Sequence, residues 1–326
     1  MITGGAGFLG QVLAARLLSR GQLVGRAGQL EAIDEIVLID RVAPAVPGTD
    51  LGARVRLVTG DVTDEELVRA EVVCDDVSVF HLASMVSAEC EQDFDGALAA
   101  NIGGCRAVLE ACRACRAAPR MVFSSSIAVF GGLAPDEVAT DGTKLLPATT
   151  YGTTKAICEL LVNDYTRKGH VDGRSARLPT VIIRPGRPNA AASSWVSSIF
   201  RERLNGEECT LPVGAATRVP VIGYRTVAEN LARLHDVRPD DLGADRAVNL
   251  PSLDLTAHEM MAALDAIAPR PLGPVSARPD PKIIAVFETW AQHSSALRAN
   301  RLGLCRDDSV AEIVHAYLED FPSAGP

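Results

Sequence analysis

The sequence predicts a doubly wound α/β fold: a parallel sheet with helices on both faces, extended by a smaller, mixed α/β, substrate-covering C-terminal part. Two observations predict it. Near-continuous apolar runs of strand length alternate with helical runs through the first half of the chain, the pattern of strands buried on both faces and joined by crossover helices. A glycine-rich turn, TGGAGFLG at residues 3–10, opens the first helical run, and such a turn brings backbone and a helix N-terminus close to a phosphate.

Taken in order, GFLGQVLAARLLSRG reads as a helix, EIVLID as a buried strand, RVRLVTGD as the next strand and DEELVRAEV as a helix. VSVFHLAS is a strand, followed by a long helical region from about Phe94 to Cys115. RMVFSSS is a strand, YGTTKAICELLVNDYTRKG a helix and SARLPTVII one further strand. From Arg184 the chain is richer in proline and loops, with helical pieces TVAENLARLHDV, TAHEMMAALDAI and DSVAEIVHAYLEDF. The expected division is residues 1–183 as a nucleotide-binding part, with 222–250 returning to it, and 184–326 as mainly a substrate-binding part. Only Met1 and Ile2 precede the turn. A central strand usually has about 5–6 residues, so further residues are expected upstream in the natural protein.

Composition narrows the function. With 32 Lys and Arg against 41 Asp and Glu, and no basic run, the chain lacks the electrostatic footprint of a nucleic-acid binder. No apolar run reaches the length that spans a bilayer. No signal segment precedes the first motif, so a cytoplasmic protein with reduced thiols is expected. Cys112 and Cys115 form a CxxC inside a helical run with no second pair or histidine at zinc spacing, and no metal is expected.

Gly4, Gly7 and Gly10 have a GxxGxxG spacing, with Phe8 and Leu9 between the last two. Small residues there let the backbone approach a pyrophosphate and let the helix pack on the sheet. Asp40 ends EIVLID at the offset where a carboxylate meets ribose hydroxyls. It would accept from a 2′-hydroxyl and repel a 2′-phosphate, which favours NAD over NADP, against the mild counter-signal of Arg41 next to it; the alternative is a strand-end cap. Asp61, beside Val62 at the end of the next strand, is placed to meet the adenine, or else to cap the helix that follows.

Tyr151 and Lys155 lie four apart on one helix face, after a serine-rich strand end that contains Ser126. An ammonium beside a buried phenol is expected to lower its pKa, so that the phenolate takes a proton from an alcohol. Ser126 would orient the reacting oxygen while a hydride leaves the same carbon for the cofactor. His81, inside an apolar strand, is expected to be structural.

These motifs, together with GDV, FHLAS, Asn101 in NIGG and SSSIAVFG, resemble the extended short-chain dehydrogenase/reductases, the group that holds sugar-nucleotide epimerases and dehydratases. The resemblance runs from Thr3 through at least Asn189. It implies a Rossmann-type sheet, Ser126, Tyr151 and Lys155 as a triad, and Leu82, Ala83, Ser84, Asn101 and Pro179 along the cofactor. It also implies a homodimer through helices around Leu98–Cys115 and Tyr151–Tyr165. The dehydratase branch needs an acid pair after the serine; Ile127 and Ala128 stand there instead. Segments VSAECEQDFDGAL, RSARLPTVIIRPGRPNAAASS and RERLNGEE resemble a branch that oxidises the C2 hydroxyl of D-erythronate, a four-carbon sugar acid, with NAD. A sugar-acid carboxylate calls for a guanidinium, for which Arg184, Arg201 and Arg218 are the candidates. Ser87, Thr180 and Asn189 are candidate hydroxyl partners by their place in that branch. An epimerase of nucleoside-diphosphate sugars and a non-catalytic nucleotide sensor remain the alternatives.

Overall fold

The computed structural model describes residues 1–42, 52–72, 77–188 and 191–322. The strands that position the site are β1 (Ile2–Thr3), β2 (Ile36–Asp40), β3 (Val55–Thr59), β4 (Ser78–His81), β5 (Arg120–Ser126), β6 (Asp172–Leu178), β7 (Thr180–Ile182), β8 (Arg218–Gly223), β9 (Ala247–Asn249) and β10 (Leu253–Thr256). The helices are α1 (Phe8–Arg20), α2 (Glu65–Glu71), α3 (Gly104–Arg113), α4 (Thr150–Arg167), α5 (Ser194–Leu204) and α6 (Tyr224–Asp236).

The main sheet has seven strands in the order β9-β6-β5-β4-β1-β2-β3, and every neighbouring pair is parallel. This is the Rossmann order with one added edge strand. The order reverses between β1 and β4, and ligands bind outside the carboxyl ends of the strands at such a point. Successive strand residues face opposite sides, so each apolar run fills two cores. Leu38, Phe80 and Val122 pack with Leu13 and Leu17 of α1 and Leu231 of α6. Their neighbours Ile39, Val79 and Met121 pack with Val108 and Leu109 of α3 and Cys158 and Val162 of α4.

β1 has two residues, both fully buried or nearly so, and is paired on both sides. Beyond β6 the chain builds a second sheet, β7-β8-β10, with β7 parallel and β10 antiparallel to β8. Its core includes Ile183, Phe200, Val221 and Tyr224. α6 packs against α1, and β9 pairs with β6.

One expectation is corrected and one is sharpened. SARLPTVII is two strands in two sheets, β6 and β7, separated by Pro179; proline has no N–H to give to a ladder. The helix from Phe94 is α-helical to Ala97, π-helical over Leu98–Gly103, and α-helical again in α3. No helix of the described residues is long and apolar enough to cross a membrane.

Candidate active site

Two cavities meet at the switch point, sharing Gly4, Gly7, Leu82 and Ser84. The smaller, about 230 Å³, is also lined by Asp40, Asp61, Val62 and Ala83. Gly4 has φ +67°, and a Cβ there would stand 2.8 Å from the Ala83 nitrogen. A Cβ on Gly10 would stand 2.4 Å from the Gly4 carbonyl oxygen. No side chain caps the first turn of α1. The Asp40 carboxylate accepts from the Ala6 amide at 3.1 Å, which fastens the end of β2 to the turn. Asp61 accepts from the Thr63 amide at 2.9 Å, and this bond holds its carboxyl below the usual range. It is Asp64, not Asp61, that caps α2, accepting from Glu66 and Leu67 amides. A glycine cradle, an uncapped helix N-terminus and a strand-end carboxylate fit a dinucleotide.

Asn101 lines neither cavity. The π-helical turn directs it inward, where Oδ1 accepts from the Met85 amide at 2.7 Å and Nδ2 donates to Thr154 Oγ1 at 3.0 Å. It therefore holds the loop after β4 against α4. π-turns of this kind recur at functional sites. His81 is fully buried and bonded through Nδ1 to Thr3 Oγ1 at 2.7 Å, while Nε2 has no partner. Burial, with Lys155 nearby, takes its pKa down to about 3 and keeps it neutral.

The larger cavity, about 320 Å³, brings Ser126, Tyr151 and Lys155 together with Phe8, Leu9, Gly10, Pro179, Ser87, Thr180, Arg184 and Arg201. Ser126 ends β5, where its Oγ accepts from the Ala128 amide at 3.1 Å, and it lines the cavity together with Tyr151. Tyr151 and Lys155 come from the first turns of α4, which Thr149 caps. The Lys155 ammonium donates to the Ser124 carbonyl at 2.8 Å and lies 5.5 Å from the centre of the Tyr151 ring. Burial lowers its pKa to about 8. The expected lowering of the Tyr151 pKa is absent: burial pushes it up to about 12, only partly opposed by the neighbouring Ser126 hydroxyl. The ammonium sits 5.5 Å from the ring centre, bonded to the Ser124 carbonyl, and burial of the phenol outweighs it.

The three arginines separate. Arg218 lines neither cavity; it donates to the Asp254 carbonyl and pairs with Glu259 at 3.4 Å. Arg201 lines the larger cavity, but is bound to Glu202 at 2.5 Å and to the Arg184 carbonyl at 2.8 Å. Arg184 lines the same cavity, donates to the Arg187 carbonyl at 3.0 Å, and makes no ion pair among the described residues. Burial and the neighbouring Arg201 both weigh against its charge, lowering its pKa. Ser87 Oγ accepts from the Ala192 amide at 3.1 Å. Asn189 lies outside the described residues.

Trp290 also lines the larger cavity; it stands just past the helix Pro281–Thr289, and no local pattern in the sequence marks it. Ser124 and Ser125 line it too, and the SSS run was the available signal.

The family model described as "NAD dependent epimerase/dehydratase family" matches residues 1–240. The chain is 44% identical over 321 residues to a D-erythronate dehydrogenase of Cupriavidus necator, covering 98% of each. It is 38% identical over 325 residues to one of Haemophilus influenzae, again covering 98% of each. A crystal structure described as a nucleoside-diphosphate-sugar epimerase from Agrobacterium tumefaciens superposes with TM-score 0.88 at 35% identity, covering 99% of this chain and 94% of that one. The chain thus belongs to the NAD dependent epimerase/dehydratase family and is an NAD-dependent dehydrogenase of the extended short-chain type.

Proposed function

We propose that the protein oxidises the C2 hydroxyl of a small sugar acid, D-erythronate, to 2-oxo-D-erythronate. The observation that carries this reading is a cavity of about 320 Å³ in which Ser126, Tyr151 and Lys155 share walls with Arg184, an arginine without a carboxylate partner among the described residues. That volume is at the lower end for ligand sites. Shared between nicotinamide and substrate, it suits a short acid better than a nucleotide sugar. The names of the two full-length relatives agree with it.

In this reading the Arg184 guanidinium holds the carboxylate bidentately. Ser126 donates to the reacting oxygen and Tyr151 takes the hydroxyl proton, passing it on to solvent. Lys155 keeps a positive charge beside the phenol. NAD, when bound, supplies the acceptor for the C2 hydride and a positive ring that favours the phenolate. Gly4, Gly7 and Gly10 seat its pyrophosphate, and Asp40 its ribose. Residues 1–183 with 222–250 carry the cofactor, and 184–326 mainly the substrate.

The reading includes a cytoplasmic homodimer. Its support is Leu160 of α4, 62% exposed on a helix the dimer would cover, and the free thiols of Cys90, Cys105, Cys158 and Cys209, which suit a reducing compartment.

A panel of four- to six-carbon aldonates with NAD, followed by NADH appearance, tests the reaction. No turnover of any sugar acid, alongside activity on a UDP-sugar, would overturn it. That second reading, an epimerase, is favoured by the description of the Agrobacterium structure; tightly held NAD with no net NADH would identify it.

A further inference from the structure

Behind the site, Ser125, Glu159 and Arg177 form a buried cluster, each at most 3% exposed. Glu159 stands one helical turn beyond Lys155 and two beyond Tyr151, on the same face of α4. Its Oε1 accepts from Ser125 Oγ at 2.5 Å. Arg177 of β6 grips both carboxylate oxygens, Nε to Oε1 at 2.9 Å and Nη2 to Oε2 at 2.8 Å. Arg177 is itself held by the Asp141 carbonyl at 3.1 Å and lies over the Phe130 ring at 5.0 Å.

A buried ion pair is weak evidence of stability, because apolar side chains of similar volume often serve as well. What distinguishes this one is the residue it holds. Ser125 is the middle of three consecutive serines. The carbonyl of Ser124 receives the Lys155 ammonium, and Ser126 lines the cavity beside Tyr151, its Oγ accepting from the Ala128 amide at 3.1 Å. A single hydroxyl between those two groups is thus tied to a carboxylate whose own position is locked from β6.

We propose that Glu159 is a positioning residue for the reaction: through Ser125, and fixed by Arg177, it sets where the end of β5 presents Ser126 Oγ and the Ser124 carbonyl to Tyr151 and Lys155. It touches no reacting atom. The inference rests on the Ser126, Tyr151 and Lys155 reading above. Glu159 also contributes charge. The titratable groups around Lys155 include Tyr151, whose ring centre is 5.5 Å away, and Cys90, Cys105, Cys158 and Glu159; Lys155 in turn acts on His81. Glu159 is the one carboxylate in that set. Asp141 and Asp245 act on Arg177.

Three variants test this. Ser125→Ala removes one hydroxyl and no charge; kcat is expected to fall ~10-fold, since small misplacements of reacting groups are costly, with the KM for NAD and the Tm nearly unchanged. A kcat within about twofold of the parent enzyme overturns the proposal, twofold being well under the ~10² that such misplacement can cost. Glu159→Gln is expected to move the alkaline limb of the kcat–pH profile to lower pH, because Lys155 loses a carboxylate that favours its ammonium. A folded Glu159→Gln enzyme with the parent profile overturns it as well; where that variant does not fold, Ser125→Ala decides. Tyr151→Phe separates the two levels. If it retains turnover, the triad reading fails; if it is inactive while Ser125→Ala is fully active, the triad stands and the positioning role fails.

Discussion

The Lys155 ammonium donates to the Ser124 carbonyl at 2.8 Å while the Tyr151 ring centre stands 5.5 Å away. The charge is therefore held beside the phenol by the strand end, and the same hydrogen bond ties α4 to β5. Holding it there costs stability. The ammonium is 2% exposed as a residue and its pKa falls from 10.5 to about 8.

Lys155→Met is expected to be more stable than the parent at neutral pH, by about 1–3 kcal/mol, and to lose nearly all turnover. The sign follows from the lowered pKa: the cost of burying the charge is fully present below pH 8 and is relieved as pH rises from about 8 to 10.5. Denaturant unfolding at two pH values checks it. A variant no more stable than the parent at neutral pH, or equally more stable at both, would count against this account.

Arg184→Ala is expected to raise the KM for the sugar acid by ~10- to 100-fold, the worth of a charge-assisted hydrogen bond, and to leave the KM for NAD unchanged. Arg218→Ala, which removes a bond to the Asp254 carbonyl and an ion pair with Glu259, is expected to change neither by more than about twofold. Steady-state kinetics on both variants decides; the opposite ranking would move the carboxylate site to Arg218.

Gly10→Ala is expected to weaken NAD binding and to destabilise the fold by about 1–3 kcal/mol, as overpacking does. The added carbon would stand 2.4 Å from the Gly4 carbonyl oxygen and 2.6 Å from Gly5 Cα, both backbone atoms that cannot rotate away. Gly7→Ala meets the same oxygen at 3.1 Å and is expected to be milder in both respects. Cofactor titration and thermal unfolding of the pair read the difference, and equal effects would refute the steric argument.

Acid stability should be governed in part by two buried histidines. Burial lowers His81 to about 3 and His235 to about 4, from 6.5. Between those values the unfolded chain binds protons that the folded chain does not, so stability falls as pH drops from 6.5 toward 4. In His81→Asn the slope of Tm against pH in that window should flatten, while activity-independent behaviour above it stays parallel. An unchanged slope would assign the acid limb to other groups.

Much of this molecule was legible in one dimension. Apolar runs such as EIVLID and RMVFSSS had to be strands buried on both faces, because their alternate residues feed two separate cores. The glycine spacing announced a close backbone approach, which the contacts of Gly4 and Gly10 explain. The four-residue period of Tyr151 and Lys155 put both on one helix face, and the same period carried on to Glu159 could have singled it out. These inferences need only local geometry: which residues share a face of one element.

Tertiary structure decided what depends on pairing between elements. The three arginines are alike by type, and only the placement of Glu202, Glu259 and the Asp254 carbonyl separates Arg184 from Arg201 and Arg218. The partner of Lys155 is a backbone carbonyl of β5, which no residue type could reveal. Pro179 ended one sheet and began another because its missing N–H interrupts a ladder whose neighbours come from distant segments. Trp290 reaches the cavity from the last part of the chain through packing alone. Periodicity along a chain records faces; the partner across each face is set by the register and packing of elements far apart in sequence.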